Sequence, residues 1–209
     1  YYINDKNYEK DFLNYFNKRN KKNFLLIEKM CTVYKSLEYI RINNFKGSIV
    51  EVGVYKGRMG HLICYYLDKY KMKNKVYFFD TFEGMTKKGK HDYNLVDRKK
   101  YSLNEGDTFY PLEKIKNDFK KYNSYKNINF IKGDVNKILN NKKILPIKIS
   151  LLRLDTDFYL STKNSLEKMY NLIQKSGVLI FDDFGHWNGE KKAAMDFFAK
   201  KKFKPFLLR

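Results

Sequence analysis

Two short apolar runs that each end in acidic residues constrain the fold of this chain most strongly. They are LLRLDTDFY, residues 151–159, and VLIFDDFGHW, residues 178–187. A helix-length segment separates them, which predicts two parallel strands joined by a helical crossover. Ligands of such sheets bind beyond the carboxyl ends of the strands. The acidic residues of both runs are therefore expected to face one cleft.

The rest of the chain repeats this alternation of strands and helices. Short runs rich in β-branched and aromatic residues predict five strands, at residues 48–54, 76–79, 128–131, 147–154 and 177–181. Longer segments between them predict four helices, at residues 57–70, 111–122, 161–174 and 190–200. The pattern predicts an α/β fold in which helices cover both faces of a parallel sheet.

The remaining segments fit a single domain of 209 residues. Apolar residues at helical spacing over residues 8–44 predict two helices, within an N-terminal helical cap at residues 1–46. Residues 84–107 are polar and have no clear period, which is typical of a lid or binding loop, although a disordered segment looks the same. Residues 203–208 are a candidate edge strand, because Pro205 is tolerated there.

The formal charge of +20 does not by itself indicate a nucleic-acid partner. The positive residues are mostly lysines spread from end to end, which is typical of a solvated surface and also favours an anionic small-molecule substrate. RNA binding is the alternative, and it predicts salt-sensitive association. Cys31 and Cys64 lie in apolar helical stretches without metal-type spacing, which indicates a reducing, cytoplasmic compartment. No apolar run has the length of a membrane-spanning helix, so no membrane partner is expected.

The acidic residues that end the two runs predict a metal site. Asp155, Asp182 and Asp183 would repel each other in one cleft, which indicates a divalent cation with oxygen ligands, such as Mg2+. Asp157 is a candidate general base, and it is equally a candidate fourth ligand or outer hydrogen-bond acceptor. His186 is the rival base because its pKa suits pH 7, with a surface loop histidine as the plain alternative.

Three other strand ends carry residues that suit an adenosine-type ligand. Glu51 ends the first strand, where it can accept from a ligand ammonium, and Gly53 and Gly57 allow a close approach and a tight turn before a helix. The spacing is not that of the dinucleotide fingerprint. Asp80 can accept from ribose hydroxyls, and Asp134 can accept from an adenine amino group. Each of these two aspartates is alternatively a helix N-cap.

With these motifs the chain resembles the macrocin O-methyltransferase (TylF-like) family of sugar O-methyltransferases, which depend on S-adenosylmethionine and Mg2+. The resemblance covers about residues 32–198 and is most specific in EVGVYKGRMG, FFDTFEGM, LLRLDTDFYLST and IFDDFGHWNG. It implies the class I methyltransferase fold, a Rossmann-like, doubly wound, mostly parallel sheet of seven strands whose last pair includes an antiparallel strand. The chain departs from the family's usual turn, E-C-G-V-W-R-G-G-S, most notably at Arg58 and Met59.

The resemblance also implies site residues and partners. The residues that would contact S-adenosylmethionine are Glu51, Gly53, Tyr55, Gly57, Asp80, Thr81, Phe82, Gly133, Asp134 and Asp155. Asp155, Asp182 and Asp183 would bind the metal, and Asp157 would stand near the acceptor hydroxyl. The catalytic candidates are then Asp157 and Asp155, with His186 kept as the rival base on its position in the chain and its pKa. The acceptor would be a sugar or glycoside, including an anionic, nucleotide-linked one. A catechol- or caffeoyl-type enzyme acting on an aromatic vicinal diol is the alternative. Apart from the resemblance, the apolar spacing of the N-terminal helical segment makes it a candidate surface for a homo-oligomer, and it fits packing on the segment's own domain equally well.

Overall fold

The computed structural model of the protein describes residues 24–96, 102–205 and 207. Helix α1 (Phe24–Ile42) comes first, and strands and helices then alternate. The order is β1 (Ser48–Val52), α2 (Arg58–Lys69), β2 (Val76–Asp80), α3 (Leu112–Phe119), β3 (Ile128–Lys132), α4 (Val135–Ile138), β4 (Ile149–Leu154), α5 (Tyr159–Met169), β5 (Ile173–Phe181) and α6 (Asn188–Lys200). Within these ranges, no helix combines the length and the apolar character needed to cross a bilayer.

The five strands form one parallel sheet in the order β3-β2-β1-β4-β5. The strand order reverses between β1 and β4, and a crevice opens at such a reversal, beyond the carboxyl ends of the strands. The register pairs Val52 with Leu154, and Leu154 with Phe181. The residues that follow these three therefore lie together at the mouth of the crevice.

Apolar side chains cover both faces of the sheet, as a doubly wound fold requires. Successive strand residues point to opposite faces. Phe78 and Leu151 pack with apolar residues of α1, α2 and α3. Phe79 and Leu152 pack with those of α4, α5 and α6. The predicted parallel α/β architecture is confirmed.

The differences from the predicted elements lie at their ends. β5 begins at Ile173 and not at residue 177, because the register shifts between Ile149 and Leu151 and the extra residues up to Gly177 are accommodated there. The preceding helix correspondingly ends at Met169, followed by a short 3-10 turn. The described residues form five strands and not seven. Residues 203–205 and 207 of the predicted edge strand are not in a strand. The first predicted N-terminal helix lies outside the described residues.

Candidate active site

The turn between β1 and α2 is built around a glycine and an aspartate. Gly53 has a φ of +85°, and a Cβ at this position would overlap the backbone carbonyl oxygen of Asp155. Asp80, at the end of β2, accepts hydrogen bonds at Oδ2 from the backbone N–H groups of Val54 (2.6 Å) and Tyr55 (2.9 Å). Its Oδ1 accepts from the N–H of Phe82 at 2.7 Å. Asp80 therefore fixes the turn in addition to facing the crevice.

One cavity lies beyond the ends of β1, β2 and β3. The predicted cofactor residues that line it are Gly53, Asp80, Thr81, Gly133, Asp134 and Asp155. Asp134 is also the N-cap of α4, where its side chain accepts from the N–H of Asn136 at 2.9 Å. The cap interpretation and the cavity interpretation of Asp134 are thus compatible.

A second cavity lies beside the first, under helix α1. It is lined by Leu26, Lys29, Glu51, Val54, Tyr55, Lys56, Arg58, Met59, Arg153, Asp155 and Asp182. Two predicted cofactor residues line neither cavity. Phe82 is buried in the core, and a Cβ on Gly57 would lie 2.6 Å from the Phe119 ring, so this glycine is required for packing.

Glu51 is the buried carboxylate of the second cavity. Its Oε1 accepts from Nη1 of Arg153 at 2.5 Å, whereas its buried Oε2 has no hydrogen-bond partner among the described residues. Burial raises the pKa of Glu51 to about 7, although the charge of Arg153 opposes the rise. An unpaired buried carboxylate oxygen beside a cavity suits a ligand that donates hydrogen bonds, such as an ammonium group.

Arg153 connects this carboxylate to the acidic cluster. The residue lies in β4, and its side chain is only 2% exposed. Its guanidinium contacts three carboxylates: Nη1 lies on Glu51, and Nη2 lies 2.9 Å from Asp155 and 2.5 Å from Asp182. A buried charge is stable only when it is paired in this way. Arg153 therefore joins the end of β1 to the ends of β4 and β5.

Lys29 brings a second cation to the same cluster from helix α1. Its Nζ lies 2.5 Å from Oδ2 of Asp182 and 2.7 Å from Oδ1 of Asp183. Although burial lowers the pKa of Lys29, the two carboxylates reverse that effect and raise it above its ordinary value. Both oxygens of Asp182 are thus engaged, one by Arg153 and one by Lys29.

The carboxylates that converge are Asp155, Asp157 and Asp183, which we call the acidic trio. Each offers an oxygen atom within 4.8 Å of those of the other two. This trio differs from the predicted one, since Asp157 takes the place of Asp182, which the two cations hold. The Asp157 backbone has a φ of +55°, a strained conformation that directs this part of the chain into the site.

The titration of the acidic trio reflects its crowding. Burial and the neighbouring carboxylates raise the pKa of Asp155 and of Asp157 well above their ordinary values. Burial acts in the same direction on Asp183, but the charge of Lys29 and its hydrogen bonds prevail and lower the pKa of Asp183. One carboxylate thus stays ionised while two resist ionisation, as expected for acidic groups confined without enough counter-charge.

Glu190, in the first turn of α6, adds another buried carboxyl group. Its Oε2 accepts from the backbone N–H of Asp183 at 2.8 Å, and its backbone N–H donates to the carbonyl of Asp157 at 3.0 Å. Its Oε1 is buried and has no partner among the described residues. Burial, together with Asp183 and Asp155, raises the pKa of Glu190 well above its ordinary value. Glu190 therefore fixes the backbone positions of Asp157 and Asp183 through these two hydrogen bonds.

The described part of the 84–107 loop is docked beside this cluster. The N–H of Leu95 donates to the carbonyl of His186 at 2.7 Å, and Asn94 forms an isolated β-bridge with Trp187. Asp92 is buried and accepts from the N–H of Tyr159, the first residue of α5, at 2.7 Å. The loop is thus attached where α5 and α6 begin, beside the ends of β4 and β5.

His186 and Trp187 follow the acidic trio in the chain and have different surroundings. The imidazole of His186 is partly exposed and makes no hydrogen bond or ion pair within the described ranges. The Trp187 ring is 5% exposed and packs with Leu103 and Phe158, the latter at a centroid distance of 6.0 Å. Trp187 therefore helps to hold the 84–107 loop against the rest of the domain.

Sequence reasoning missed three residues of the site: Lys29, Arg153 and Glu190. Arg153 had a visible signal, because it is the one charged residue inside the apolar run LLRL, and a charge in a buried strand needs partners. Glu190 resembles an ordinary acidic residue in the first turn of a helix. Lys29 had no signal, since it is one of many lysines and lies 154 residues from its partner Asp183.

The sheet has the α/β methyltransferase fold, with its crevice where the strand order reverses. Residues 25–208 match the family described as macrocin-O-methyltransferase (TylF). The chain belongs to that family, which confirms the resemblance noted in its motifs.

Two curated relatives and one solved structure are similar to this chain. A Streptomyces olivaceus protein, 8-demethyl-8-(2,3-dimethoxy-alpha-L-rhamnosyl)-tetracenomycin-C 4'-O-methyltransferase, is 26% identical over 161 residues, 76% of this chain and 60% of its own length. Demethyldecarbamoylnovobiocin O-methyltransferase from Streptomyces niveus is 25% identical over 162 residues, with the same shares. The chain thus spans about 60% of the length of these relatives. The O-methyltransferase NovP matches with a TM-score of 0.75 at 24% identity, over 88% of this chain and 76% of that one, and supports the fold.

Proposed function

We propose that this protein is an S-adenosylmethionine-dependent O-methyltransferase that methylates a sugar hydroxyl with the help of a divalent cation. The observation that carries the proposal is the acidic trio, which lies at the sheet's reversal point beside a carboxylate with an unpaired buried oxygen. Family membership and the printed names of the relatives support the reaction class.

The residues around the two cavities suit S-adenosylmethionine. The unpaired Oε2 of Glu51 is an acceptor for the amino group of its methionine part. Gly53 brings bare backbone to the same place. In the neighbouring cavity, Asp80, Thr81 and Asp134 are acceptors for the adenosine part. The second cavity would therefore hold the methionine part and the first the adenosine part, and Asp155 lines both.

The charge balance of the site suits a divalent cation. Two cationic side chains, Lys29 and Arg153, face six carboxyl groups: Glu51, Asp155, Asp157, Asp182, Asp183 and Glu190. The trio supplies only oxygen ligands, which Mg2+ prefers, whereas Zn2+ favours His and Cys. Asp155 and Asp183 would hold the ion, joined by Asp182 where the ion displaces Lys29, and Asp157 would lie beside them.

The reaction divides among the residues of this crevice. Bound S-adenosylmethionine supplies an activated methyl group, and a bound divalent cation lowers the pKa of an acceptor hydroxyl. Asp157 would take the hydroxyl proton on one Oδ atom, which would leave the acceptor oxygen free to receive the methyl group. Glu51 and Gly53 position the donor, and the docked loop excludes water. Such positioning can lower a barrier by roughly 7–11 kcal/mol.

The proposed acceptor is a sugar, either nucleotide-linked or part of a glycoside. The name of the Streptomyces olivaceus relative describes methylation of a rhamnosyl group. The 84–107 loop carries exposed lysines, including Lys87, Lys88 and Lys90, which suits an anionic sugar nucleotide. A panel of acceptors separates this from the aromatic alternative. Methylation of deoxysugar nucleotides or glycosides supports the proposal, and a strict preference for catechols would replace the sugar with an aromatic diol.

A metal-removal assay tests the proposed reaction as a whole. Methyl transfer from labelled S-adenosylmethionine to the acceptor panel should stop after treatment with EDTA and return with added Mg2+. The Glu113→Gln variant, which changes an exposed carboxylate of α3 that pairs with Lys116, should respond to EDTA and Mg2+ as the unmodified protein does. Full activity after exhaustive chelation would eliminate the metal, while methyl transfer itself would still establish the enzyme class.

A pair of variants tests which residue takes the proton. Asp157→Asn should lose at least about a hundredfold in kcat, since a general base typically contributes 10²- to 10⁴-fold. His186→Ala should retain most of the rate, because its imidazole lies outside the hydrogen-bond network of the trio. If His186→Ala is the more damaging change, the two roles have to be exchanged.

A further inference from the structure

Lys29 is placed unusually for a lysine of an amphipathic helix. Its side chain is 20% exposed, and it leaves α1 to end between two carboxylates of the loop that follows β5. Arg153, which lies inside the sheet, pairs with Glu51, Asp155 and Asp182. Among the described residues, Lys29 therefore brings positive charge to this site from outside the sheet.

The two contacts of Lys29 affect the acidic trio differently. With Asp182 it completes the pairing that Arg153 begins, so that this carboxylate is held away from the trio. With Asp183 it contacts a member of the trio directly, at 2.7 Å. An ammonium group and a divalent cation both bind carboxylate oxygens at short range and repel each other. The two cations cannot share Asp183 without a cost.

We propose that Lys29 is a positioning residue that sets the metal-binding strength of this site. It competes with the divalent cation for the oxygens of Asp182 and Asp183 that its Nζ contacts. This inference rests on the proposed metal-assisted function and names the residue that controls it. The ligand set predicted from the sequence, Asp155, Asp182 and Asp183, would then become available only when Lys29 is displaced.

Lys29 also lines the second cavity, where the methionine part of S-adenosylmethionine is proposed to bind. Its competition with the metal should therefore affect that cavity as well. Leu26 and Lys29 line that cavity together with Glu51 and Met59. A cation that takes Asp183 leaves Lys29 with Asp182 alone, and this weakens one attachment of α1 to the sheet. Coupling between two equilibria is reciprocal. A change that loosens the attachment of α1 to the sheet should therefore raise the affinity for the cation, and binding of the cation should loosen α1.

Direct measurement of Mn2+ binding tests this competition without any turnover. Mn2+ serves as the probe because its free form gives an electron paramagnetic resonance signal. Lys29→Met should bind Mn2+ about tenfold more tightly than the unmodified protein, because a unit positive charge is removed from the ligands. Lys29→Arg, which keeps the charge, should stay within about threefold. Lys35→Met is the matched control, since Lys35 is an exposed lysine of the same helix.

The direction of the change separates positioning from a general structural role. A residue that merely supports the fold would weaken Mn2+ binding when it is removed, and unchanged or weaker binding by Lys29→Met would overturn the inference. Amide exchange of α1 should also accelerate in Lys29→Met and on Mn2+ addition to the unmodified protein. A thermal scan verifies folding, and Lys29→Gln replaces the methionine variant if that one does not fold.

The same series distinguishes this inference from the proposed function. Equal Mn2+ binding by all the proteins would overturn the competition and leave the metal-assisted reaction standing. Absence of Mn2+ binding from all of them would overturn the competition together with the metal part of the proposed function. Binding of S-adenosylhomocysteine, measured on the same samples, reports separately whether the methyl-donor site is correct.

Discussion

The two sides of the crevice use their carboxylates in opposite ways. On the turn side, at the ends of β2 and β3, Asp80 and Asp134 accept hydrogen bonds from backbone N–H groups and are satisfied by the fold itself. On the acidic side, at the ends of β4 and β5, carboxylates face one another and share two cations. The carboxylates of the turn side stabilise the fold without a ligand. Those of the acidic side repel one another, and their negative charge is neutralised only when positive charge is added.

The two sides of the crevice should therefore contribute differently, the turn side mainly to stability and the acidic side mainly to activity. Carboxylates that accept backbone hydrogen bonds contribute to folding, so their loss should lower the stability of the protein. Carboxylates that repel one another are retained at a cost in stability, which is common where a site has to bind a charged ligand. The same chemical change made on both sides should therefore have different consequences, and four predictions examine this.

The largest expected effect is on the rate, from Asp155→Asn. This variant removes a charge from the acidic trio and should lower kcat/KM at least about a thousandfold, since a metal site supplies several kcal/mol of charge stabilisation. Its thermal midpoint should not fall, because one of several repelling groups is gone. The matched change on the turn side, Asp80→Asn, should reduce the rate less than about tenfold but cost about 1–3 kcal/mol of stability.

Steady-state kinetics and urea unfolding on the two variants decide this comparison. The contrast fails if Asp80→Asn lowers the rate as strongly as Asp155→Asn does. It also fails if Asp155→Asn unfolds more easily than the unmodified protein.

The second prediction concerns the residue that joins the two sides. Arg153→Met leaves Glu51, Asp155 and Asp182 without their shared cation and should cost about 3–5 kcal/mol of unfolding free energy. Lys192→Met, which removes a cation from the surface pair with Asp196, should cost less than about 1 kcal/mol. Urea unfolding at pH 7 measures both. Adding Glu51→Gln to Arg153→Met should recover part of the loss, and a purely additive double variant would contradict the shared network.

The third prediction is a pH dependence that belongs to Glu51. Its pKa is raised to about 7 by burial, against the opposing charge of Arg153, so the folded state binds its proton more tightly than the unfolded chain does. The stability that the neutral form contributes is complete below the unfolded pKa of about 4.5 and is lost as the pH rises through about 7. The unmodified protein should therefore lose up to about 3 kcal/mol relative to Glu51→Gln between pH 4.5 and 8.

Unfolding curves for the two proteins across this range provide the measurement. Glu167→Gln, which changes a surface carboxylate on α5, should show no such divergence from the unmodified protein. A constant difference between unmodified protein and Glu51→Gln at all pH values would refute the raised pKa.

The same contrast explains how far the sequence could predict this site. Short runs of β-branched and aromatic residues identified all five strands. The residues that follow these strands were correctly located at one edge of the sheet, because parallel strands end together. Backbone-bound groups such as Asp134 were predictable as caps from local sequence alone. The orientation of Asp182 was not, because it depends on Lys29, which lies on another helix far away in the chain. Charge pairing across a fold leaves no local pattern in the sequence.

The smallest effect is expected from Asp134, where the cap and the cavity interpretations can be separated. As the N-cap of α4 it accepts from Asn136, and Asp134→Ala should cost about 1 kcal/mol of stability. Asp134→Ser keeps a capping oxygen on a shorter side chain and should recover most of that loss. If Asp134 also contacts the adenine of the methyl donor, both variants should bind S-adenosylhomocysteine more weakly, by roughly 0.5–1.5 kcal/mol. If it is only a cap, affinity should follow stability, and Asp134→Ser should bind as the unmodified protein does. Calorimetric titration of the three proteins therefore decides whether the turn side, like the acidic side, gives any of its carboxylates to the ligand.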